Sequence, residues 1–321
     1  MTAISLYTLF SSRSERPPIV TYECLIPRRR VLIDVLMPQD RQVEAAIALP
    51  LLLEFVPKPA FSDNADVAVW IDARPLDRIG LLPTTMEVVE TMRVSVILPA
   101  AGLGTRMGKS SKKQFLQLDG APILIHTLRR FAKVASVNEI IIACRAEDMD
   151  DVRGMLAGAH VDKPVRLVEG GASRQESVEH ALATVGAGVD LVAVHDAVRP
   201  FADVAMIEKV IAEAAECGAA IVAIVPVDTV KQVHLNKIQT TISRDRLVLA
   251  QTPQVFKTSL LRRAFAKAKE DGFAGTDESS LVERLDAVEV HVVPGSDRNI
   301  KITKPSDLDL AKHFLSEEHE A

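Results

Sequence analysis

Glycine is almost missing from the start of the 321-residue chain: of 15 glycines only Gly80 lies before residue 92, whereas nine of the 17 prolines do. The single tryptophan, Trp70, and both tyrosines, Tyr7 and Tyr22, fall in that same stretch. Proline punctuates its short apolar runs, "RVLIDVL" and "EAAIALPLLLEFV", and no repeating βα period emerges. Cysteine is scarce as well. Cys24, Cys144 and Cys217 are odd in number, far apart and without C-x-x-C spacing, so neither a disulfide framework nor a zinc site is suggested and a reducing cytoplasm fits best. The most apolar run, residues 45–56, contains Pro50 and Glu54 and is shorter than the roughly 20 residues a spanning helix needs. No secretion signal is read at the amino terminus. A net charge of −5 with no long basic block argues against a nucleic-acid surface. Small acidic ligands remain open.

From Met92 onward the pattern alternates. Residues 93–99, 139–144, 164–170, 189–196 and 219–227 are Val/Ile-rich runs with little polar alternation, the signature of strands buried on both faces. Residues 121–134, 147–159, 174–185 and 203–218 carry apolar side chains at i, i+3/i+4 spacing, the last ending at a capping glycine. This order implies an α/β fold, a doubly wound and mostly parallel sheet whose ligands sit beyond the carboxyl ends of the strands. The expected division is 1–91, a segment of unknown fold, and 92–321. A second reading of 1–91, that Met92 is the true start, stays open.

The first strand opens into "PAAGLGTRMGKSSKKQF". A dinucleotide fingerprint starting at Gly102 and Gly104 requires glycine at 107, where Met107 stands, and a P-loop requires four residues between glycines where Gly102 and Gly108 enclose five. Both registers fail by one residue. Loop amides from Ala100 onward, through Ala101, Gly102 and Gly104, suit an anion-binding nest, with Arg106 and Lys113 supplying full charges.

"LGTRMG" followed by "KKQF" strongly resembles the nucleotidyltransferases that move a nucleoside monophosphate from an NTP onto a phosphorylated small molecule. "PAAGLGTRMG", "KKQFL", "GGASRQESV", "VAVHDAVRP", "VDTVK", "QTPQVF", "TDESS" and "NIKITKPSDL" are similar, in order and spacing, to the 2-C-methyl-D-erythritol 4-phosphate cytidylyltransferases over 92–315. The resemblance implies a Rossmann-like nucleotidyltransferase fold with a projecting β-arm at about 228–252, and a homodimer joined by that arm. It implies attack by a phosphate oxygen of methylerythritol phosphate on the α-phosphorus of CTP, with Mg²⁺ spanning the triphosphate. A phosphomonoester has a second pKa of about 6, so the nucleophile is already anionic and positioning and charge neutralisation carry the reaction.

By the same resemblance Arg106, Lys113, Arg244 and Lys301 are the catalytic cations, Arg246 rivals Arg244, and Lys112 rivals Lys113. Gly171 and Ser177 read the cytosine. Asp196 touches sugar hydroxyls or the metal, and Arg199, Thr229 and Thr252 contact the second substrate. His195, at the end of an apolar strand, is read as a packed residue rather than a base. "ALPLLLEFVPKPAFS" is similar to the early part of PIN-type nuclease toxins, but only Asp34 remains of their acidic metal set. Two other functions stay open: a ribitol-5-phosphate cytidylyltransferase, and an inactive nucleotide-binding module. "PAAG" and "TDES" favour methylerythritol phosphate over the first, and retention of Arg106, Lys113 and Lys301 speaks against the second.

Overall fold

The computed structural model describes residues 92–102 and 112–320, together with the backbone of five strands before residue 92. The chain divides into two units, Met1–Thr91 and Met92–Ala321. In the first, β1 (Ile4–Leu6), β2 (Ile19–Ile26), β3 (Arg29–Leu36), β4 (Val67–Asp72) and β5 (Met86–Glu90) form one sheet in chain order. All its pairings are antiparallel except β3 with β4. The apolar "RVLIDVL" thus lies within β3, whereas "EAAIALPLLLEFV" lies outside the described residues.

The second unit is built on β6 (Val94–Pro99), β9 (Val137–Cys144), β10 (Val165–Glu169), β11 (Leu191–Val194), β12 (Ala219–Ile224), β15 (Leu249–Lys257) and β16 (His291–Pro294). The small pairs β7 (Gln117–Leu118) with β8 (Ala121–Pro122), and β13 (Val230–His234) with β14 (Lys237–Ile242), stand apart from them. Sheet order is β10-β9-β6-β11-β15-β12-β16, and every strand is parallel except β15. Seven helices accompany the sheet among the described residues: α1 (Ile123–Ala132), α2 (Met149–Ala157), α3 (Arg174–Thr184), α4 (Val204–Cys217), α5 (Thr258–Glu270), α6 (Glu278–Glu283) and α7 (Pro305–Glu320).

Strand alternation sorts the core into two layers. Val94, Val96 and Leu98, Ile140 and Ile142, and Leu191 and Ala193 pack beneath α1, α2 and α4. Ile97, Ile141 and Ala143, and Val192 and Val194 face the other way, against α3, α5 and α6. Both faces are covered, which is why these strands read as continuous apolar runs. Phe131 and Phe256 are fully buried, one in each layer. Helix α4 ends as its sequence indicates, with Gly218 in the left-handed region at φ 96°.

Two elements differ from expectation. The arm hairpin is confined to β13 and β14, turning through Leu235 and Asn236, both at positive φ. The chain then makes a short 3₁₀ turn at Arg244–Arg246 and re-enters the main sheet as the antiparallel strand β15, so the last residues of the anticipated arm, 249–252, belong to that sheet. Proline normally argues against a central strand because it donates no ladder hydrogen bond. Here Pro253 sits in a bulge: Gln254 pairs with Ile221 and Ala250 with Ala223, leaving three residues of β15 opposite one of β12. Such bulges re-aim side chains next to active sites. This one buries Gln251 and Thr252 at the carboxyl end of β11.

Candidate active site

Beyond the carboxyl ends of β6, β10 and β11, a cleft of about 250 Å³ is lined by residues 99–102, Lys113, Gln114, residues 171–174, Ser177, residues 196–198 and Lys301. Eight of the expected residues meet there: Ala100, Ala101, Gly102, Lys113, Gly171, Ser177, Asp196 and Lys301. Gly104 and Arg106 lie outside the described residues.

Each wall has a local cause. The Ala100 amide donates to Ala143 O at 2.7 Å, extending the β6 ladder, so an anion cradle begins no earlier than Ala101. Gln114, buried, donates from Nε2 to the carbonyls of Ala100 at 2.7 Å and Gly102 at 3.3 Å. Holding those carbonyls on the protein side orients the start of the glycine loop. Lys112 is turned away: its ammonium pairs with the fully buried carboxylate of Asp148, which Arg145 also contacts at 3.0 Å. Lys113 is the lysine of "KKQF" that lines the cleft.

The opposite wall is the amino terminus of α3. Ser173 caps it in a capping box, accepting from the Glu176 amide at 3.0 Å, while the Glu176 carboxylate accepts from the amides of Ala172 at 2.7 Å and Ser173 at 3.2 Å. Gly171 fits against this box only without a side chain, since a Cβ there would stand 2.3 Å from the Glu176 Cβ. Ser177 lies beneath the turn. Its Oγ accepts from the Gly171 amide at 3.1 Å and donates to Ser173 O at 2.8 Å, so the buried hydroxyl shapes the turn while its side chain lines the cleft.

Asp196 is the electrostatic centre. Oδ1 lies 3.2 Å from Arg174 Nε, and Oδ2 lies 2.9 Å from Lys301 Nζ and 3.3 Å from Arg199 Nε. Burial alone would raise its pKa, but Arg174, Lys301 and Arg199 outweigh it and hold the carboxyl well below the usual carboxylate range. Both oxygens thus face cations, and the carboxylate lines the cleft between them. Thr252 accepts from the Asp196 amide at 3.1 Å through its buried hydroxyl, fixing the backbone beneath the carboxylate. Arg199 donates to Asn299 O at 2.7 Å, and Asn299 donates to Thr252 O at 2.9 Å and Gln251 Oε1 at 3.0 Å. These buried bonds join the bulge in β15 to the segment that carries Lys301.

Four site residues were not singled out in the sequence: Arg174, Gln114, Glu278 and Asn299. Arg174 bridges Asp196 and the buried Glu278, whose Oε1 lies 2.7 Å from Arg174 Nη1. Burial pushes the Glu278 carboxyl up, with Arg174 opposing. Asp277 next to it caps α6, accepting from the Ser280 amide at 3.1 Å. Three of the four sit inside quoted motifs, "SRQES", "KKQF" and "TDESS", and Asn299 opens "NIKIT". Those motifs were the available signal.

Thr229 and Arg244 do not line the cleft. Both are exposed, and Arg244, with Arg246, borders a second hollow with Val225, Pro226, Val227, Leu247, Val248 and Val292. The Arg244 guanidinium donates to Val227 O. His195 is fully buried, its Nε2 3.0 Å from Arg199 O and its ring 4.7 Å from that of Phe131. Burial lowers its pKa to about 4. It is a packed neutral residue, as expected.

Residues 94–317 match the family model described as 2-C-methyl-D-erythritol 4-phosphate cytidylyltransferase. The chain belongs to that family. Among curated cytidylyltransferases of this name, that of Solibacter usitatus is 59% identical over 71% of this chain and 97% of its own length. That of Bacillus velezensis is 41% identical over 71% and 97%. A solved 4-diphosphocytidyl-2C-methyl-D-erythritol synthase from Anaerococcus prevotii is 32% identical, covering 71% of this chain and all of its own, with a TM-score of 0.63. Members are nucleotidyltransferases, and the cation-rich cleft of this cytidylyltransferase-family chain suits triphosphate chemistry. Among the described residues no helix is long and apolar enough to cross a membrane.

Proposed function

We propose that the chain transfers CMP from CTP to 2-C-methyl-D-erythritol 4-phosphate, yielding 4-diphosphocytidyl-2-C-methyl-D-erythritol and pyrophosphate, in the cytoplasm. The observation that carries the reading is the convergence of Lys113, Arg174 and Lys301 on one cleft within a chain of this family. A phosphate oxygen of the sugar phosphate attacks the α-phosphorus, the bond from that phosphorus to the α,β-bridging oxygen breaks, and pyrophosphate leaves with the electron pair. No base is required for an anionic nucleophile. The buried, neutral His195 accords with that.

Lys113, with Arg106 from the glycine-rich loop, neutralises charge gathering at the α-phosphate, and Lys301 aligns the two substrates' phosphates. Gly171 and the turn around Ser177 hold the cytosine. Asp196 orients sugar hydroxyls and keeps Lys301, Arg174 and Arg199 from repelling one another. Mg²⁺ would be held mainly by the phosphate oxygens of CTP, with Asp196 the candidate protein ligand, and would neutralise charge on the triphosphate. Thr229 and Arg244 belong to a homodimer: each arm brings them to the cleft of the other chain, where Arg244 grips the polyol phosphate. Residues 92–321 constitute the cytidylyltransferase unit, and a chain shortened to that range keeps full activity.

The test is pyrophosphate release with CTP, Mg²⁺ and either methylerythritol 4-phosphate or ribitol 5-phosphate. Release with the first and little with the second is expected. The reverse outcome overturns the substrate assignment, and release with neither overturns the enzyme reading.

A further inference from the structure

Glu213 and Cys217 stand one turn apart near the end of α4, so their side chains share a face. Gly218 then turns the chain directly into β12, whose Ala220 lies in register with His291 on the parallel edge strand β16. Helix turn, left-handed cap and strand register together bring a thiol sulfur, a carboxylate oxygen and an imidazole nitrogen within 4.8 Å of one another. Glu213 Oε1 lies 2.7 Å from His291 Nδ1. Cys217 Sγ donates to Glu213 O at 3.0 Å and Ala219 O at 3.1 Å. Glu213 and Cys217 are half-buried and His291 is exposed, so the trio is open to solvent on one side. None of the three lines the cleft.

We propose that Glu213, Cys217 and His291 bind a zinc-class divalent cation, with water completing a four-coordinate site. Sulfur, nitrogen and oxygen donors are the set Zn²⁺ takes, at about 2.0–2.3 Å. The thiolate selects zinc over magnesium, which prefers oxygen alone. The backbone positions are fixed by a helix and two sheet strands, so only side-chain rotation closes the ligands around the ion. Binding replaces the Sγ proton with the metal, and that proton passes to water. The bound ion ties the edge strand β16 to α4 and does not compete with Mg²⁺ arriving on CTP. The alternative is an ordinary surface Glu–His pair beside a helical cysteine bonded to its own i−4 carbonyl, which takes up no metal.

Titration of the metal-free full-length protein with Co²⁺ separates the two. One equivalent should produce a near-ultraviolet thiolate-to-cobalt charge-transfer band that Zn²⁺ abolishes by displacement. Cys217→Ser should remove the band, Cys24→Ser should keep it, and His291→Gln and Glu213→Gln should each weaken Co²⁺ binding at least about tenfold. In the parent protein, without any substitution, Zn²⁺ should raise the thermal midpoint where equimolar Mg²⁺ does not. Absence of the band, its persistence in Cys217→Ser, unchanged affinity in His291→Gln, or no rise in midpoint with Zn²⁺ overturns the site.

Discussion

The cleft and the arm carry the same kinds of residue in opposite settings. At the cleft, Asp196, Arg199 and Glu278 are buried and paired with Arg174, Lys301 or each other. At the foot of the arm, Arg244 and Arg246 are exposed beside Val227, itself 82% exposed, and Leu235 at the hairpin turn is 81% exposed. Charges in the cleft are positioned by the fold of one chain. Those on the arm have an amphipathic surface but no wall to close it, which is the surface the proposed second copy would cover. The comparison predicts that cleft substitutions damage stability or turnover directly, while arm substitutions act through the second substrate and the assembly.

The sharpest break should come from Asp196→Ala. Removing one partner of a buried ion cluster leaves uncompensated charge, here Arg199 and Lys301 with Arg174, and should cost about 3–5 kcal/mol of stability. Denaturant midpoints measure it, and a loss below about 1 kcal/mol would show that the cluster is solvated rather than structural. Next, Lys113→Ala should lower kcat by about 10²–10³-fold with a smaller change in KM for CTP. Lys112→Ala, which leaves the buried Asp148 paired with Arg145 alone, should instead lower the thermal midpoint and leave kcat near the parent value. If Lys112→Ala loses turnover and Lys113→Ala does not, the roles assigned to the two lysines are reversed.

On the arm, Arg244→Ala should cut kcat/KM for methylerythritol phosphate by about 10- to 100-fold, the worth of a charge-assisted phosphate contact. The thermal midpoint and KM for CTP should stay unchanged. Mixing Arg244→Ala with Lys113→Ala chains sharpens the comparison further. If the arm serves the neighbouring cleft, mixed dimers regain one intact site and activity rises above either variant alone. No recovery on mixing, with subunit exchange verified by light scattering of tagged chains, would place Arg244 in its own chain's cleft.

How much of this was legible in the sequence follows from what each residue touches. Strands buried on both faces announce themselves as unbroken Val/Ile runs, and Gly218 and Asn236 mark turns through their backbone demands. Strand β15 was hidden because Pro253 argues against a central strand, and only the bulge opposite Val222 makes it acceptable. Lys113, Asp196 and Lys301 were recognisable because the resemblance to a family assigns them substrate roles. Gln114, Arg174, Glu278 and Asn299 were not, because their bonds in the structure go to other protein groups: loop carbonyls, carboxylates and the β15 backbone. Such partners are set by tertiary geometry, which spacing along the chain does not encode. Arg174 and Glu278 are about a hundred residues apart in the sequence yet form one ion pair.

The smallest predicted effect distinguishes a buried histidine from a catalytic one. The pKa of His195 is lowered by burial from 6.5 to about 4, so between those values the unfolded chain binds a proton that the native chain refuses. Stability therefore falls as pH drops through that window, by about 1 kcal/mol between about pH 7 and about pH 5.5 from this group. The Asp196 contribution has the same sign but lies lower. Its depressed carboxyl contributes stability present above the unfolded value of 3.8 and lost as pH falls below it. Urea midpoints of the parent and His195→Asn across the upper window isolate the histidine: the variant should start less stable, having lost the packing against Phe131, but show a shallower pH slope. The pH profile of kcat, in contrast, should not change its midpoints, because a group with no solvent exposure has no proton to exchange with substrate. A shift of the kcat profile in His195→Asn would return the residue to the catalytic side of the comparison.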